Sequence, residues 1–463
     1  MSYCNSGPPM AAYAVEKKTG QTIEDFIAKN IFSPLGMATS SLLKTETVRQ
    51  RLSKGYIGPD QQEAPYWHVI NRSAGAINSS TTEMAEYVRF FLNRGKVDNN
   101  QLLSPESIHR IETPTSTLAA KAGITEGYGL HIQTQRYKGI TMHGHGGGMA
   151  GFLANMQYIP ELGIGYVFFV NQSNGTAMNA INQAILDCVV PDQHCLALKD
   201  QALKKDLKDR AMNIPHSPVL QSRDLQDHVG YYRTATSRNQ LFRFLEWPGN
   251  VIQIKARDGQ LYLQSLAGQE QLLETVDQHT YRLHYGKGYS SPVVFTRDET
   301  GKRFLQIPNI SGNYYQTSAP YVWGIIYIFN ISSLLILSAF IAAFFWIPVW
   351  IFGQRKVRNI SARFWPLLAA ISIQSFMLLF TIGGGVDPIT QFGTQTPISY
   401  AIYLLSLLVP ALSVIAFWVS MRAFETDMPL LARVHSFLVS MACLCITAYF
   451  GYWGVLGLKI WVF

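Results

Sequence analysis

Gly144-His-Gly-Gly-Gly-Met-Ala-Gly-Phe152 is the stretch on which the fold turns. Residues 140–145 before it and 152–159 after it read as strands, with 146–151 as the turn between them. Working outward, 129–134 and 164–171 continue the series, through turns at 137–139 and 160–163. Connections this short join antiparallel neighbours, so the spacing predicts a meander. Helices flank it. Ile23, Phe26, Ile27 and Ile31 share one helical face behind a Thr22…Asp25 cap, and that helix ends near Pro34. Met84, Tyr87, Val88 and Phe91 do the same behind Ser80…Glu83, with Gly95 placed to stop the helix. A further helix is expected near 177–188. The arrangement is α+β.

Beyond the meander the chain changes character three times. Residues 199–218 are charged, then proline-bearing, and read as a linker. A strand-rich segment follows: 251–256 and 260–265 flank Asp258-Gly259, a hairpin signal, and 281–285, 293–297 and 302–307 continue it. The third change is in charge. Of 38 basic and 30 acidic residues, only seven and three lie from Pro320 onward, leaving 31 and 27 in the front. That distribution excludes a wholly soluble protein, and 48% hydrophobic residues exclude a disordered one. With no basic cluster in the front, the net charge of +8 does not mark a nucleic-acid face, so nucleic acid is not an expected partner.

Four apolar stretches fill the tail, about 322–350, 364–385, 398–420 and 434–457. Each exceeds the ~20 residues that cross a ~30 Å hydrocarbon core. The bilayer is therefore an expected partner. Arg355, Lys356, Arg358 and Arg363 stand between the first two spans, and Arg422 and Arg433 between the last two. The positive-inside rule puts those loops in the cytoplasm and the front domain outside. The expected location is a plasma (inner) membrane, multi-pass, with the soluble domains on the outer or periplasmic side. No acidic relay lies within a span, so transport chemistry has no support.

Three groups of residues carry a resemblance. Tyr3-Cys4-Asn5 is followed by Glu16-Lys-Lys-Thr-Gly20 and Ile31-Phe-Ser-Pro-Leu-Gly-Met37. Arg72-Ser-Ala-Gly75 precedes Ser79-Ser-Thr-Thr-Glu83, and His145-Gly-Gly follows in the stretch quoted first. In this order they resemble the serine β-lactamase and penicillin-binding-protein-like hydrolases, nearest to the class C β-lactamase branch, over roughly residues 1–190. The resemblance implies acyl transfer through the serine of an S-x-x-K motif, without a cofactor, on D-amino-acid peptides such as those of peptidoglycan, β-lactams or small esters. It gives Tyr3 a part in proton transfer and Asn5 a part in holding the substrate amide. His145 would support the hydroxyl network. Gly147 and Gly148 would let the strand lie against substrate, and the Gly148 N–H is the oxyanion donor from this strand.

Other readings of the same residues are plainer. His143 and His145 alternate on a strand, as a two-histidine metal pair would, but no acidic or thiol ligand stands beside them in sequence, so no metal is expected. Gly146–Gly148 could be a hairpin turn, and no G-x-x-x-x-G-K-[ST] accompanies it to make a phosphate cradle. The one S-x-x-K is Ser41-Leu-Leu-Lys44, which follows Y-x-N where the family has it earlier. The nucleophile is therefore left unknown, Ser41 and Lys44 being an unfavourable choice. The expected layout is a truncated β-lactamase-related domain (1–195), a linker (196–218), a small antiparallel β domain (219–318) and a transmembrane region (319–463). Such a chain is expected to be inactive as it stands, either because its frame starts late or because it is a non-catalytic binding or membrane-structural protein on a hydrolase scaffold.

Overall fold

The structure is a computed structural model that describes residues 4–58, 60–69, 71–190, 225–235, 242–247, 249–266, 268–276, 280–309, 312–353, 357–386 and 388–462. Tyr3, Cys195, the expected linker, Arg355, Lys356 and Asp387 lie outside them. The chain divides into two compact units, 1–238 with 252–316, and 239–251 with 317–463.

The first unit is built on antiparallel strands. Two small hairpins, β1 (Gly55–Ile57) with β2 (Gln62–Ala64) and β3 (Lys96–Val97) with β4 (Asn100–Gln101), stand apart from the main sheet. That sheet begins with β5 (Gly127–Tyr128), β6 (Gln133–Tyr137), β7 (Ile140–Met149), β8 (Phe152–Ile159) and β9 (Ile164–Val170). The expected turn at 146–151 is shorter than its glycines suggested. β7 runs on through Gly146, Gly147 and Gly148, which pair with Asn155, Ala154 and Leu153 of β8. These three glycines stay extended, and only Gly151 takes the left-handed conformation, at φ 79°. Likewise Tyr137 belongs to β6, and Lys138-Gly139 alone make the turn, at φ 46° and 82°. The expected 129–134 strand is broken: β5 ends at Tyr128 and β6 starts at Gln133, because Gly129 N–H closes a tight loop onto the Ile132 carbonyl.

Helices cover this sheet. Thr81–Leu92 starts on Ser80, whose hydroxyl accepts from Glu83 N–H. Glu83 does not close the expected box. Its carboxylate accepts instead from Thr39 N–H, Thr39 Oγ1 and Ser40 Oγ, tying down the loop after Pro34-Leu-Gly-Met37. Leu35, Met37, Phe91, Ile108, Ile132 and Tyr158 form the core between helices and sheet. Each fully buried side chain of this size stabilises by about 1.5–3 kcal/mol. Helix Gly175–Val189 is tied to the sheet through Tyr137, whose hydroxyl donates to Asp187 at 2.6 Å.

The later strands are β10 (Gly230–Thr234), β11 (Val251–Arg257), β12 (Gln260–Ser265), β13 (Glu270–Thr275), β14 (Thr280–Tyr285), β15 (Tyr289–Arg297), β16 (Arg303–Ile307) and β17 (Gly312–Thr317). They neighbour one another in the order 14-13-12-11-10-17-16-15, and β14 also pairs with β15, so the eight close into a ring. Closure removes the free edges that an open sheet exposes. Ile254, Leu261, Val293 and Leu305 fill the ring. At the Asp258-Gly259 hairpin both residues have positive φ, 52° and 73°, as a two-residue turn requires. β15 pairs with β6 through Tyr289↔Tyr137 and Ser290↔Arg136, so ring and meander share a sheet. Arg282 of the ring also donates to Glu126, a buried carboxylate, at 2.8 Å.

Among the described residues the second unit contains four helices long and apolar enough to cross a membrane: Ala319–Phe352, Ile360–Val386, Pro397–Arg422 and Leu430–Tyr452. At 1.5 Å per residue the shortest reaches about 35 Å, more than the hydrocarbon core. The last helix starts and stops earlier than expected. Pro429 caps it, so Arg433 and His435 fall inside its first two turns, and Gly454 at φ 67° reverses the chain after Tyr452. In the third helix, Ser399, Ser406, Ser413 and Ser420 repeat every seven residues and are buried, with Ile402, Val409 and Ala416 between them. Small side chains let helices approach closely where lipid provides no hydrophobic drive between them.

Candidate active site

The β7 strand and the loop between β5 and β6 make the site. On β7, Met142 and Gly144 are buried, whereas His143 and His145 face the other side of the sheet. Gly144 is demanded by packing, since a Cβ there would lie 2.2 Å from the Met156 carbonyl. Gly146 and Gly147 are not, because their Cβ positions meet nothing nearer than 3.6 and 4.0 Å. β6 pairs with β7 only from Tyr137↔Ile140 to Gln133↔Gly144. From His145 to Met149, therefore, β7 is paired with β8 alone, and Gly146, Gly147 and Gly148 are exposed.

The loop brings partners to His145. Gly129 packs so tightly on helix Pro105–Glu112 that a Cβ would lie 2.1 Å from the Ile111 carbonyl, and Leu130 N–H donates to that same carbonyl. So anchored, the loop carries Tyr128 to one side of His145 and His131 to another. Tyr128 Oη lies 2.8 Å from His145 Nε2. His145 Nδ1 lies 2.5 Å from the Gly146 carbonyl, which can only accept, so Nδ1 carries the proton and Tyr128 donates to Nε2. The His131 ring is 6.5 Å from that of His145, and Tyr87 Oη is 3.4 Å from His131 Nε2. Burial pushes His131 down to about 4, and the neighbouring His145 adds to that. Burial also lowers His145, against the opposing pull of the Gly146 carbonyl. Both imidazoles are neutral at pH 7, and His145 is a proton acceptor.

His143 is committed elsewhere. Thr134 Oγ1 donates to the Glu112 carbonyl at 2.8 Å and so accepts from His143 Nδ1, also at 2.8 Å. The His143 ring stacks on Tyr158. Tyr158 donates to the Glu112 carboxylate, which Arg94 grips with two bonds of 2.6 and 2.9 Å. Burial raises the Glu112 carboxyl, but Arg94, His143 and Tyr158 outweigh it and hold it below the usual carboxylate range. Burial pushes His143 down to about 4. Among the described residues no group of three or more histidine, cysteine or acidic side chains is arranged to hold a metal ion.

The other residues picked from the sequence are placed as follows. Tyr3 is outside the described residues. Asn5 is exposed in the turn before helix Gly7–Thr19 and makes no hydrogen bond among the described residues. Gly147 and Gly148 lie beside His145 on the open part of β7. Ser41 sits in a loop, bridged to Asn78, with its hydroxyl accepting from Leu43 N–H at 3.0 Å. Lys44 is exposed, its ammonium 4.5 Å from the centre of the Tyr66 ring. No hydrogen bond joins Ser41 to Lys44. Tyr128, His131 and Tyr87 were not picked from the sequence. The available signal was Gly127-Tyr-Gly129, an aromatic held between two glycines at the start of what reads as a strand.

A model of the beta-lactamase family matches residues 1–188. Residues 1–188 are a beta-lactamase-family domain. Penicillin-binding protein 4 of Amycolatopsis lactamdurans is 28% identical over 185 residues, 38% of this chain and 49% of that protein. The unguisins hydrolase ungD' of Aspergillus campestris is 31% identical over 199 residues, 40% of this chain and 36% of that protein. A D-aminopeptidase of Cereibacter sphaeroides is 25% identical over 178 residues, 37% of this chain and 32% of that protein. The chain thus spans 32% to 49% of the length of these relatives. The beta-lactamase-family domain contains the meander, the Tyr128–His145 pair and the open end of β7.

Proposed function

We propose that this protein is a membrane-anchored serine acyl hydrolase whose substrates are D-amino-acid peptides of the peptidoglycan type, β-lactams or small esters. The Tyr128–His145 pair beside an open strand end is the observation that carries it. A serine hydroxyl attacking a carbonyl must lose its proton. Tyr128 Oη can take that proton while passing its own to His145 Nε2, and the resulting imidazolium keeps its Nδ1–H on the Gly146 carbonyl. Reversal of the transfer supplies the proton that the leaving amine or alcohol needs. Tyr3 shares the proton transfer, and Asn5 holds the substrate amide. Gly147 and Gly148 admit the substrate backbone along β7, with the Gly148 N–H on the developing oxyanion. We assign the nucleophile to neither Ser41 nor Lys44, since no hydrogen bond joins their side chains.

The absence of any serine–lysine hydrogen bond among the described residues favours a second reading, a non-catalytic binding protein on the same scaffold. A fluorescent penicillin and a fluorophosphonate probe separate the two. The chain 1–463 is expected to take no label. An in-frame S-x-x-K upstream of Met1, together with labelling of the longer chain, supports the enzyme. Failure of that longer chain to form an acyl-enzyme by mass spectrometry sinks it. We place the front domain outside a plasma (inner) membrane, because Arg358, Arg363, Arg422 and Arg433 lie at one end of the four helices. Alkaline phosphatase fused at Phe463 should then be active, and activity only in a fusion at Arg358 reverses the orientation.

A further inference from the structure

Tyr128 is fixed from two directions. After it in the chain, Gly129 is pinned on Ile111. Before it, the chain is held by the ring. The strand that carries Tyr128, β5, is two residues long and pairs with β6 through Gly127↔Thr134 and Tyr128↔Gln133, which by itself orients it weakly. Three ring residues reach the segment just ahead of it. Gln306 Oε1 of β16 accepts from the Ala119 N–H at 3.1 Å. Pro308, just past β16, packs on Gly127, where an added Cβ would lie 3.1 Å from the Pro308 ring. Arg282 of β14 donates to both oxygens of Glu126, at 2.8 and 3.3 Å. Arg282, Gln306 and Pro308 all lie outside residues 1–188, the part matched by the family model.

The Glu126 contact carries the most weight. The Glu126 side chain is 5% exposed and that of Arg282 15%, so the carboxylate has little water to replace its partner. Two N–H groups of one guanidinium grip a carboxylate in a geometry that sets its direction as well as its charge. Arg282 is itself steadied. Its Nη1 also donates to Ser290 Oγ at 3.1 Å, and Ser290 stands opposite Arg136 where β15 pairs with β6. Arg136 brings its Nε within 3.1 Å of Glu126 Oε1, but without hydrogen-bond geometry, and its side chain is 41% exposed. Arg136 therefore balances charge, whereas Arg282 sets direction.

Without Arg282, the carboxylate would keep one loosely placed cation and would turn toward water. Glu126 and Tyr128 are two residues apart, so that movement shifts the phenol. A hydrogen bond of 2.8 Å, such as that from Tyr128 Oη to His145 Nε2, is lost within an ångström of displacement. We propose that Arg282, a residue of the ring, is a positioning residue for the Tyr128–His145 pair and acts through Glu126. Its consequence for proton transfer rests on the function proposed above.

The test reads the hydrogen bond rather than turnover, in the full chain 1–463 in detergent. Diethylpyrocarbonate attacks an imidazole nitrogen with an accessible lone pair, and Tyr128 occupies that of His145 Nε2. The rate at His145 is followed by peptide mass spectrometry, with the enclosed His143 as the internal measure of folding. Tyr128→Phe sets the ceiling, about fivefold faster than the parent, the weight of one ordinary hydrogen bond. Arg282→Gln should approach that ceiling while His143 stays unreactive. Arg282→Lys keeps the charge without the two-pronged contact and should recover part of the protection. Gly127→Ala, at φ 131° and against Pro308, should raise the rate with every charge in place. Arg303→Gln, at the ring's pair with Asp227, should leave the rate unchanged. A parent rate in Arg282→Gln overturns the proposal. If His143 opens in that variant as well, Gly127→Ala decides, and a parent rate there overturns it. Penicillin labelling is scored separately. Lost protection in Arg282→Gln with no acyl-enzyme in any form of the protein keeps the positioning role and removes the hydrolase reading. Undisturbed protection in a form that acylates does the reverse.

Discussion

His143 and His145 stand two residues apart on one strand and face the same side of it, yet the fold uses them differently. His143 is enclosed: Thr134 Oγ1 accepts a hydrogen bond from its Nδ1–H, Tyr158 covers its ring, and the Glu112–Arg94 pair stands behind both. His145 lies one step past the end of the β6 pairing, where its Nε2 meets the Tyr128 phenol and the neighbouring glycines are open. The inner half of β7 is paired on both sides, to β6 and to β8, and that double pairing sets the direction of the open half. A strand of one residue pattern thus carries scaffold at one end and an accessible proton acceptor at the other.

The comparison can be broken most forcefully with acid. His143 and His131 are held at about 4 against 6.5 for a free imidazole. Above about pH 6.5 both are neutral folded or unfolded and cost nothing. Below it the unfolded chain binds protons that the folded chain refuses, so stability falls as pH drops from about 6.5 to about 4. The loss approaches ~3 kcal/mol per histidine, to order of magnitude. Urea unfolding of the full chain in detergent, followed by protease cleavage within 127–159, should show the midpoint dropping across that window. His143→Gln keeps a donor for Thr134 and should flatten the drop by about half. A midpoint independent of pH would mean the two rings are not sealed.

Next in size is Glu112→Ala, which strands Arg94 and the Tyr158 hydroxyl. Breaking a buried pair costs about 3–5 kcal/mol, and the lower end applies here because Arg94 is 32% exposed. The same urea measurement reads it. Gly144→Ala should follow at roughly 1–3 kcal/mol, since the added methyl meets the Met156 carbonyl and the Gln157 side chain.

These sites also show what the sequence discloses. The meander, the helix behind Ser80 and the Asp258-Gly259 hairpin were legible because each has a local cause: alternation, a cap, or a pair of residues that tolerate positive φ. The glycine run misled because glycine signals a turn by freedom, and only the pairing to Asn155, Ala154 and Leu153 shows it extended. Ring closure depends on β10 lying beside β17, a long-range contact that no local pattern announces. His145 was legible through its motif. Tyr128 was not, since it reaches His145 only because Gly129 is pinned against Ile111 on a separate helix. The serines repeating every seven residues from Ser399 to Ser420 were visible in the chain, but the uniform hydropathy around them drew attention to span length alone.

The smallest change in stability, and the sharpest test of the open half of β7, is expected from Gly147→Ala. The new methyl would meet only the Ala154 side chain, at 4.0 Å, and the backbone there is extended rather than left-handed. Replacing glycine at such a site restricts the unfolded chain, so folding should be unchanged or favoured by about 0.4–1 kcal/mol. Gly144→Ala, three residues away, destabilises, so the pair separates packing glycines from open ones within one strand. The functional consequence runs the other way. If a substrate backbone lies along β7, the methyl stands in its place, and acylation by the fluorescent penicillin, in any form of the protein that takes it, should slow although the fold is intact. A Gly147→Ala protein as stable as the parent and acylated at the same rate would show that substrate does not approach this edge. The site would then have to be sought on the Tyr87–His131 side of His145.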